Sequence, residues 1–342
     1  MLKLRFLTST PLDVVRGSGT FVGISVLAGA LERLGHTVDY EFPTRHFSVY
    51  TLERLWFNRQ LRPSPAHDLT IGFDMDGYRI AGPHHVASLK GVIADEVRFE
   101  RGFTRATMTL QARCERRHVQ RAAQVLVTSR YSADRACEFY GLKRRPEIVP
   151  ELIDLANWRR HLTAHPARSA RFTVLYVGRF YRRKRVDVLL RAVARLGSAI
   201  PDLELRIVGN GPCNQSWRAL ASELKLDTTV TWLGDVSRAE LAAEYNRCHL
   251  FCLPSVQEGF GIVLLEAMAA GKPIVAARAG AIPEVAPFAT LVEPNGSEAL
   301  AAGILERFRN PTMDVRPLQW VEQFDAPKVA RLFLRAVRDS AA

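Results

Sequence analysis

Cysteines and acidic residues are scarce in this chain of 342 residues, and long apolar runs are absent. The five cysteines are scattered and include no CxxC pair, which argues against a disulfide framework and against a zinc site. No uninterrupted apolar run reaches the roughly 18 residues of a transmembrane helix. The N-terminal stretch MLKLRFLTSTPLDVV lacks the apolar core of a signal peptide. We therefore expect a cytoplasmic protein.

The shortage of acidic residues leaves an excess of positive charge. Lysine and arginine number 47 against 35 aspartates and glutamates, a formal net charge of +12. Such an excess suits nucleic acid, an anionic membrane surface or phosphorylated small molecules, and solubility alone is the remaining interpretation. No RNP, zinc-finger or other nucleic-acid motif occurs, so we predict no nucleic-acid partner.

The apolar pattern predicts alternating strands and helices, and the length suits two domains. The segment LKLRFLTS reads as a strand, a helix with apolar residues at helical spacing ends at Gly35, and HTVDYEF reads as the next strand. The second half repeats strand and helix patterns more cleanly, from FTVLYVG to SEALAAGILERFR. Such repeats predict parallel sheets, in which ligands bind at the carboxyl ends of the strands.

Two loops at predicted strand ends are basic or rich in glycine. VGRFYRRKR, residues 177–185, concentrates cations that suit a diphosphate, although it also reads as a solvated basic loop. VGNGP, residues 208–212, has two glycines that would let the backbone approach a ligand, or that form a plain turn. It is not the GxGxxG dinucleotide motif.

A third segment, EGFGIVLLE, is a loop followed by the start of a helix, and it has an acid at each end. Gly259 and Gly261 free the loop backbone, and the first helical amides after them offer an anion site. Glu258 and Glu266 could each accept hydroxyl donors of a sugar and a ribose. The alternatives are a favourable charge at a helix start for Glu258 and a solvent-facing helix acid for Glu266.

These loops together resemble the retaining glycosyltransferases of family four, which have the GT-B fold and an E-x7-E motif. EGFGIVLLE matches that motif, and VGRFYRRKRVDVLLRA, VGNGP, LGDV and GKPIVAARAGAIPEV follow the family order. The resemblance implies an α/β fold of two Rossmann-like, doubly wound parallel-sheet domains facing across a cleft. We place an acceptor-binding domain at 1–160, a nucleotide-sugar-binding domain at 161–315, and a helix that crosses back at 316–342.

The resemblance also implies roles for individual residues. Glu258 would contact hydroxyls of the donor sugar, Glu266 the ribose, and Arg179 and Lys184 the diphosphate. Backbone of the glycine-rich loops would lie near the donor, which adds the candidates Gly17, Gly19, Gly209, Gly259, Phe260 and Gly261. The family performs its reaction without a bound metal, so we expect neither a metal nor a cofactor.

The acceptor side departs from the family pattern. Many members place a histidine after the strand that we assign to HHVASL, and Lys90 occupies that position here. His84 and His85 are expected to be ordinary loop residues, and Asp76, at a strand end, is our candidate for acceptor contact. Glu151 and Leu152 replace an Asn-Gly pair of the family. The candidate catalytic residues are Glu258, Asp76 and Lys90.

The implied function is transfer of a hexose from a UDP- or GDP-sugar to a hydroxyl acceptor, which is a glycolipid, a polysaccharide or a small glycoside precursor. A nucleotide-sugar epimerase of GT-B fold and a non-catalytic nucleotide-sugar-binding subunit are the alternatives. Many relatives act on lipid-linked acceptors, and the basic helix from about Arg105 to Arg121 could rest on anionic lipids at the inner face of a membrane. We expect Leu110 to pack inward, which leaves no apolar anchor. The alternative is a solvated surface helix.

Overall fold

In the computed structural model, which describes residues 1–10, 19–164, 169–311 and 314–338, the chain forms two units. The first contains the described residues up to Leu152 and those from Phe324 onward, and the second contains those from Ile153 to Gln323.

The first unit is built on six parallel strands. These are β1 (Lys3–Leu7), β2 (Thr37–Glu41), β3 (Leu69–Phe73), β4 (Gly82–Leu89), β5 (Ala122–Val127) and β6 (Glu147–Ile148). They lie in the order β2-β1-β3-β4-β5-β6. The chain moves outward from β1 to β2 and then returns to β3 on the other side. The gap between β1 and β3 is therefore the switch point of this sheet.

Within the part of the chain that the structure describes, five α-helices connect these strands: α1 (Gly19–Arg33), α2 (Tyr50–Gln60), α3 (Ile93–Glu96), α4 (Gly102–Arg121) and α5 (Arg130–Tyr140). The predicted apolar spacing of α1 is confirmed, since Ile24, Leu27 and Leu31 are buried in the core of the unit. Gly35 follows that helix with a φ of 85°, a left-handed conformation that favours glycine. Helix α2 was not predicted, because its apolar and polar residues follow no clear helical period.

The second unit also has six parallel strands. They are β7 (Thr173–Val177), β8 (Glu204–Val208), β9 (Val230–Gly234), β10 (Leu250–Leu253), β11 (Ile274–Ala277) and β12 (Thr290–Val292). Their order is β12-β11-β10-β7-β8-β9. The chain leaves β7 toward one edge and leaves β10 toward the other, so the switch point lies between β7 and β10.

The described residues of this second unit form eight α-helices. They are α6 (Leu155–Thr163), α7 (Val186–Leu196), α8 (Asn214–Glu223), α9 (Arg238–Arg247), α10 (Ile262–Ala269), α11 (Ile282–Val285), α12 (Ser297–Arg309) and α13 (Arg316–Trp320). Helix α10 is apolar apart from Glu266, and its residues 264–269 are buried, which explains why a strongly hydrophobic segment follows the loop of Glu258.

Contacts of two tryptophans show that helices α6 and α13, near the two ends of the second unit, pack within it. Trp158 of α6 packs edge-on against Tyr245 of α9, with ring centroids 5.6 Å apart. Trp320 of α13 donates its indole N–H to the Val285 carbonyl over 2.9 Å. Both helices therefore lie with the second unit, whereas the sequence-based boundaries were 160 and 315.

The last helix, α14 (Ala326–Arg338), belongs to the first unit. Its buried residues Val329, Phe333 and Val337 share a core with Leu4 and Phe6 of β1. The spacing of the three matches one face of a helix, and burial of that face holds the segment against the unit.

Candidate functional site

The switch point of the second sheet brings two of the predicted loops together. Strands β7 and β10 are hydrogen-bonded neighbours, and the loops that follow them contain residues 178–185 and 254–261. The Val256 amide donates to the Arg183 carbonyl over 2.9 Å, which links the loops directly. Predicted site residues that are more than 70 positions apart in sequence are thus adjacent in the fold.

Lys184 and Glu258 form an ion pair across these two loops. The Lys184 ammonium donates to the Glu258 carboxylate over 2.7 Å, and both side chains are largely buried, with 14% and 8% of their surfaces exposed. A buried pair of opposite charges holds a cation and an acid at defined positions. The pairing itself was not predicted, since nothing in the local sequence of either loop points to the other.

Arg179, the other predicted cation, lies at the end of β7 and is partly exposed. Its guanidinium is 3.6 Å from the carboxylate of Asp235, which follows β9. Asp235 belongs to the LGDV segment, which follows VGNGP in the sequence. The two predicted cations of the loop after β7 therefore have different acidic neighbours.

The glycines of VGNGP serve the packing of the unit. A Cβ at Gly209 would lie 2.1 Å from the Gly178 carbonyl oxygen, and one at Gly211 would lie 2.7 Å from the Phe180 nitrogen. Both glycines have positive φ, 120° and 155°. Close approach to the loop after β7 thus explains both of them, as a structural alternative to ligand contact.

The loop before α10 is held by a further glycine. Gly261 has a φ of 93° and directly precedes the helix, and the Phe260 side chain is buried. Gly280 packs on the backbone of Glu258, and the Ala281 amide donates to the Glu258 carbonyl over 2.9 Å. The backbone that presents Glu258 is therefore supported by the segment after β11.

Glu266 lies inside the second unit, so the solvent-facing alternative was wrong. Only 3% of the residue is exposed. The Arg238 guanidinium donates to one carboxylate oxygen over 2.5 Å, and the Tyr245 hydroxyl lies 3.2 Å from the other. Burial and the nearby Glu266 charge raise the pKa of Tyr245 well above its ordinary value, so this hydroxyl keeps its proton and can donate it.

The switch point of the first sheet holds Asp76, but not as an acceptor contact. The Asp76 carboxylate is fully buried and accepts hydrogen bonds from the amide and hydroxyl of Ser9, both over 2.7 Å. Arg54 and Asn58 of α2 donate to it over 3.2 and 3.0 Å. The prediction for Asp76 is corrected: its oxygens anchor the segment after β1, and the unpredicted helix α2 supplies the partners that enclose it.

Two departures from the family pattern meet in the first unit. The Lys90 ammonium donates to the Glu151 carboxylate over 3.1 Å, with 6% and 4% of the two side chains exposed. The Lys90 amide also donates to Asp74 over 2.8 Å. Burial raises the pKa of Asp74 to about 6, against the opposing charge of Arg54. Lys90 and Glu151, at which the sequence departs from the resemblance, are thus paired with each other.

His85 is not a loop residue, which corrects a second prediction. Strand β4 includes both histidines; His84 is exposed, whereas the Nε2 atom of His85 lies 2.9 Å from the Nε2 atom of His118. The Nδ1 atom of His118 lies 2.5 Å from the Asp74 carbonyl oxygen, so this nitrogen carries the proton. Burial, and then the neighbouring His118, lower the pKa of His85 to about 3, and burial lowers that of His118 to about 4.

The remaining expectations concern the first glycine loop, metals and membranes. Gly17 lies outside the described residues, and Gly19 is the first residue of α1. Within the described ranges, no cluster of three or more His, Cys, Asp or Glu side chains is arranged to hold a metal ion. In the same part of the chain, every helix is too short or too polar to cross a bilayer.

Residues 160–319 match the family of glycosyl transferases group 1. The chain is 34% identical over 178 residues to D-inositol 3-phosphate glycosyltransferase of Pseudarthrobacter chlorophenolicus, which covers 49% of this chain and 42% of that enzyme. It is 29% identical over 217 residues to a GDP-mannose-dependent alpha-(1-6)-phosphatidylinositol monomannoside mannosyltransferase of Mycolicibacterium smegmatis, covering 58% and 57%. The chain spans about half the length of these curated relatives.

Solved structures confirm the predicted GT-B fold class. Sucrose-phosphate synthase from Thermosynechococcus elongatus superposes with a TM-score of 0.80 at 20% identity, over 99% of each chain. HepE of Anabaena, solved with UDP and glucose, gives a TM-score of 0.72 at 18% identity, over 99% of this chain and 100% of that one. The shared fold agrees with the two parallel, doubly wound sheets described above.

Proposed function

We propose that the chain is a retaining glycosyltransferase that moves a hexose from a nucleotide diphosphate sugar to a hydroxyl acceptor. The observation that carries this proposal is the buried pair of Lys184 and Glu258 at the β7–β10 switch point. Ligands of doubly wound sheets bind at that position. The match to glycosyl transferases group 1 covers all of these strands, and the relatives named above are glycosyltransferases.

The proposed donor contacts follow from the chemistry of a nucleotide diphosphate sugar. Lys184 and Arg179 would neutralise the diphosphate, whose negative charge grows as it leaves. Glu258 would accept sugar hydroxyls and Glu266 ribose hydroxyls, since a carboxylate accepts several hydrogen bonds. In the first unit, Lys90 with its partner Glu151 is the candidate for contact with the reacting groups.

Calorimetric titration with UDP and GDP tests the donor site. We expect one of the two to bind. Lys184→Ala should weaken that binding by about 2 to 5 kcal/mol, because the diphosphate would lose the cation that we propose contacts it. Arg182→Ala is the matched control, since Arg182 is a neighbouring but exposed cation. Equal affinities for the two variants would contradict the proposed diphosphate contact.

Turnover then distinguishes transfer from the alternatives. Without an acceptor, a transferase should slowly hydrolyse its sugar donor to the free sugar and the nucleotide. With an acceptor, the sugar moves to the acceptor hydroxyl, and a retaining enzyme should give the new glycosidic bond the anomeric configuration of the donor. A non-catalytic binding subunit would bind the donor and leave it intact. An epimerase would return a nucleotide sugar with one inverted carbon, which product analysis by NMR would reveal.

We further propose that transfer needs no metal. Arg179, Lys184 and the amides at the start of α10 place positive charge where a bound cation would otherwise act. Activity in excess chelator should therefore match activity without it. Loss of activity that magnesium or manganese restores would overturn this part of the proposal.

Helix α4 offers a surface for a lipid-linked acceptor or for the membrane that contains it. Its exposed residues include the predicted arginines, Arg105, Arg113, Arg116, Arg117 and Arg121. The expectation that Leu110 packs inward was wrong: 40% of Leu110 and 70% of Phe103 are exposed. Successive residues are about 100° apart on a helix, so Phe103, Leu110, Arg117 and Arg121 share one narrow stripe. The basic surface thus includes apolar anchors.

Vesicle sedimentation tests this surface. We expect vesicles that contain anionic lipid to retain the protein at low salt and to release most of it at high salt. Changing Arg113, Arg116 and Arg117 together to serine should weaken retention, whereas Arg331→Ser with Arg335→Ser, two exposed arginines of α14, should not. Equal recovery on neutral and anionic vesicles would refute the membrane proposal and leave the donor site unaffected.

A further inference from the structure

Glu266 belongs to a cluster of side chains from three helices. Arg238 begins α9, Tyr245 lies further along the same helix, Trp158 comes from α6 and Glu266 from α10. Trp158 and Tyr245 are fully buried. The cluster is therefore an internal feature of the second unit, and Arg238, with 26% of its side chain exposed, is its most accessible member.

Each oxygen of Glu266 has one donor within the cluster. Arg238 donates to Oε1 over 2.5 Å, and the Tyr245 hydroxyl lies 3.2 Å from Oε2, sharing its proton with the Val263 carbonyl oxygen at 3.0 Å. A carboxylate offers about four lone-pair positions, so each oxygen can accept one more hydrogen bond. Two adjacent hydroxyls of a ribose ring match that remaining capacity.

Arg238 is itself held from two sides. Its guanidinium stacks over the Trp158 ring at 4.5 Å, and the Trp158 indole donates to the Glu266 carbonyl over 3.2 Å. The backbone of Arg238 follows Ser237, which closes a capping box with Glu240 at the start of α9. An arginine fixed in this way directs its charge to a set position, which a mobile surface arginine would not.

We infer that Arg238 is a positioning residue, which orients the Glu266 carboxylate to accept the ribose hydroxyls of the donor. This inference rests on the proposed function. Without its arginine partner, the buried carboxylate would turn away from its present position, and the acceptors that the hydroxyls need would no longer be in place. Arg238 lies 28 positions from Glu266 in sequence, so no local pattern indicates the pairing.

The test compares ribose with deoxyribose. Whichever of UDP and GDP binds the unaltered protein more tightly is titrated beside its 2′-deoxy and 3′-deoxy forms. We expect the unaltered protein to prefer the ribonucleotide by about 10- to 100-fold, the range of one or two hydrogen bonds to a charged group. Arg238→Gln should reduce that preference to about threefold or less, and Arg238→Lys should give an intermediate value.

Arg195→Gln is the matched control, because Arg195 forms an exposed ion pair with Glu298 on the same unit. It should keep the full preference for the ribonucleotide. Circular dichroism checks folding, and Arg238→Lys serves as the test if Arg238→Gln fails to fold. A positioning role predicts loss of the preference for the ribonucleotide; general damage would instead weaken ribo- and deoxyribonucleotides equally.

Several outcomes would overturn the inference. These are an unchanged preference in the Arg238 variants, an equal loss for all nucleotides, or tighter ribonucleotide binding once Arg238 is gone, which would mean that Arg238 competes with the ribose. If the unaltered protein binds a nucleotide but shows no preference for ribose, the assigned contact of Glu266 fails as well. If no nucleotide binds, the proposed function itself is refuted.

Discussion

Replacing Lys90 by methionine would isolate the carboxylate of Glu151 inside the first unit. The two side chains are 3.1 Å apart and almost wholly buried. Burial already raises the pKa of Glu151 above its ordinary value of 4.5, although the Lys90 charge opposes that shift. Without Lys90, only burial remains, and the carboxyl should bind a proton when the protein is folded.

The cost of that proton can be worked out from linkage. At pH 7 the unfolded chain keeps Glu151 ionised, so the folded variant must take up a proton that the unfolded chain lacks. With an ordinary pKa of 4.5, this uptake costs about 3.4 kcal/mol at pH 7 and about 1.4 kcal/mol at pH 5.5. The folded pKa is the raised one, so the loss of stability grows as pH rises above 4.5 and disappears below it.

The matched control is the double variant Lys90→Met with Glu151→Gln, which has no titrating group at this position. Hydrogen exchange of β4 and β5 amides in mild urea reports the stability of the first unit by itself. At each pH, the difference between the single and the double variant isolates Glu151, because every other titrating group is common to both. We expect that difference to be about 3 kcal/mol at pH 7 and to shrink by more than half at pH 5.5.

A difference that does not change with pH would refute this reasoning, because it would mean that Glu151 stays ionised without Lys90. A single variant as stable as the double variant at pH 7 would refute it as well. Either result would show that water reaches the Glu151 carboxylate in the folded variant.

Two further predictions concern the histidine pair and a glycine. His85 and His118 are held neutral in the folded protein, with lowered pKa values of about 3 and 4. The unfolded chain therefore binds more protons, and the free energy of unfolding should fall as pH drops below 6.5. Urea titrations at several pH values should show a smaller decline when both histidines are replaced by glutamine. Gly280→Ala should destabilise the second unit by about 2 kcal/mol or more and weaken nucleotide binding, because the new Cβ would lie 2.5 Å from the Glu258 carbonyl oxygen. Gly271→Ala is the control: Gly271 has a similar φ but no contact closer than 3.9 Å, so the change should cost only about 1 kcal/mol. Equal losses of stability in the two variants would contradict the steric argument.

The sequence alone was sufficient for the elements whose signal is local. The apolar spacing of α1, its end at Gly35, and the repeated strands and helices of the second half all appear in the structure as predicted. The reason is that periodic burial of one face and the conformational freedom of glycine act over a few neighbouring residues. The resemblance of EGFGIVLLE and the basic loop to a known family depended on equally short segments.

Only the tertiary structure decided which charges meet. Lys184 and Glu258, Arg238 and Glu266, and Lys90 and Glu151 are each far apart in sequence, and their pairing depends on strand order and helix packing. The same holds for the enclosure of Asp76, because helix α2 has no clear helical period, and for Leu110, whose exposure depends on what covers α4. The sequence specifies the chemistry of each side chain, but the partner of that side chain and its access to solvent depend on tertiary contacts that no local pattern encodes.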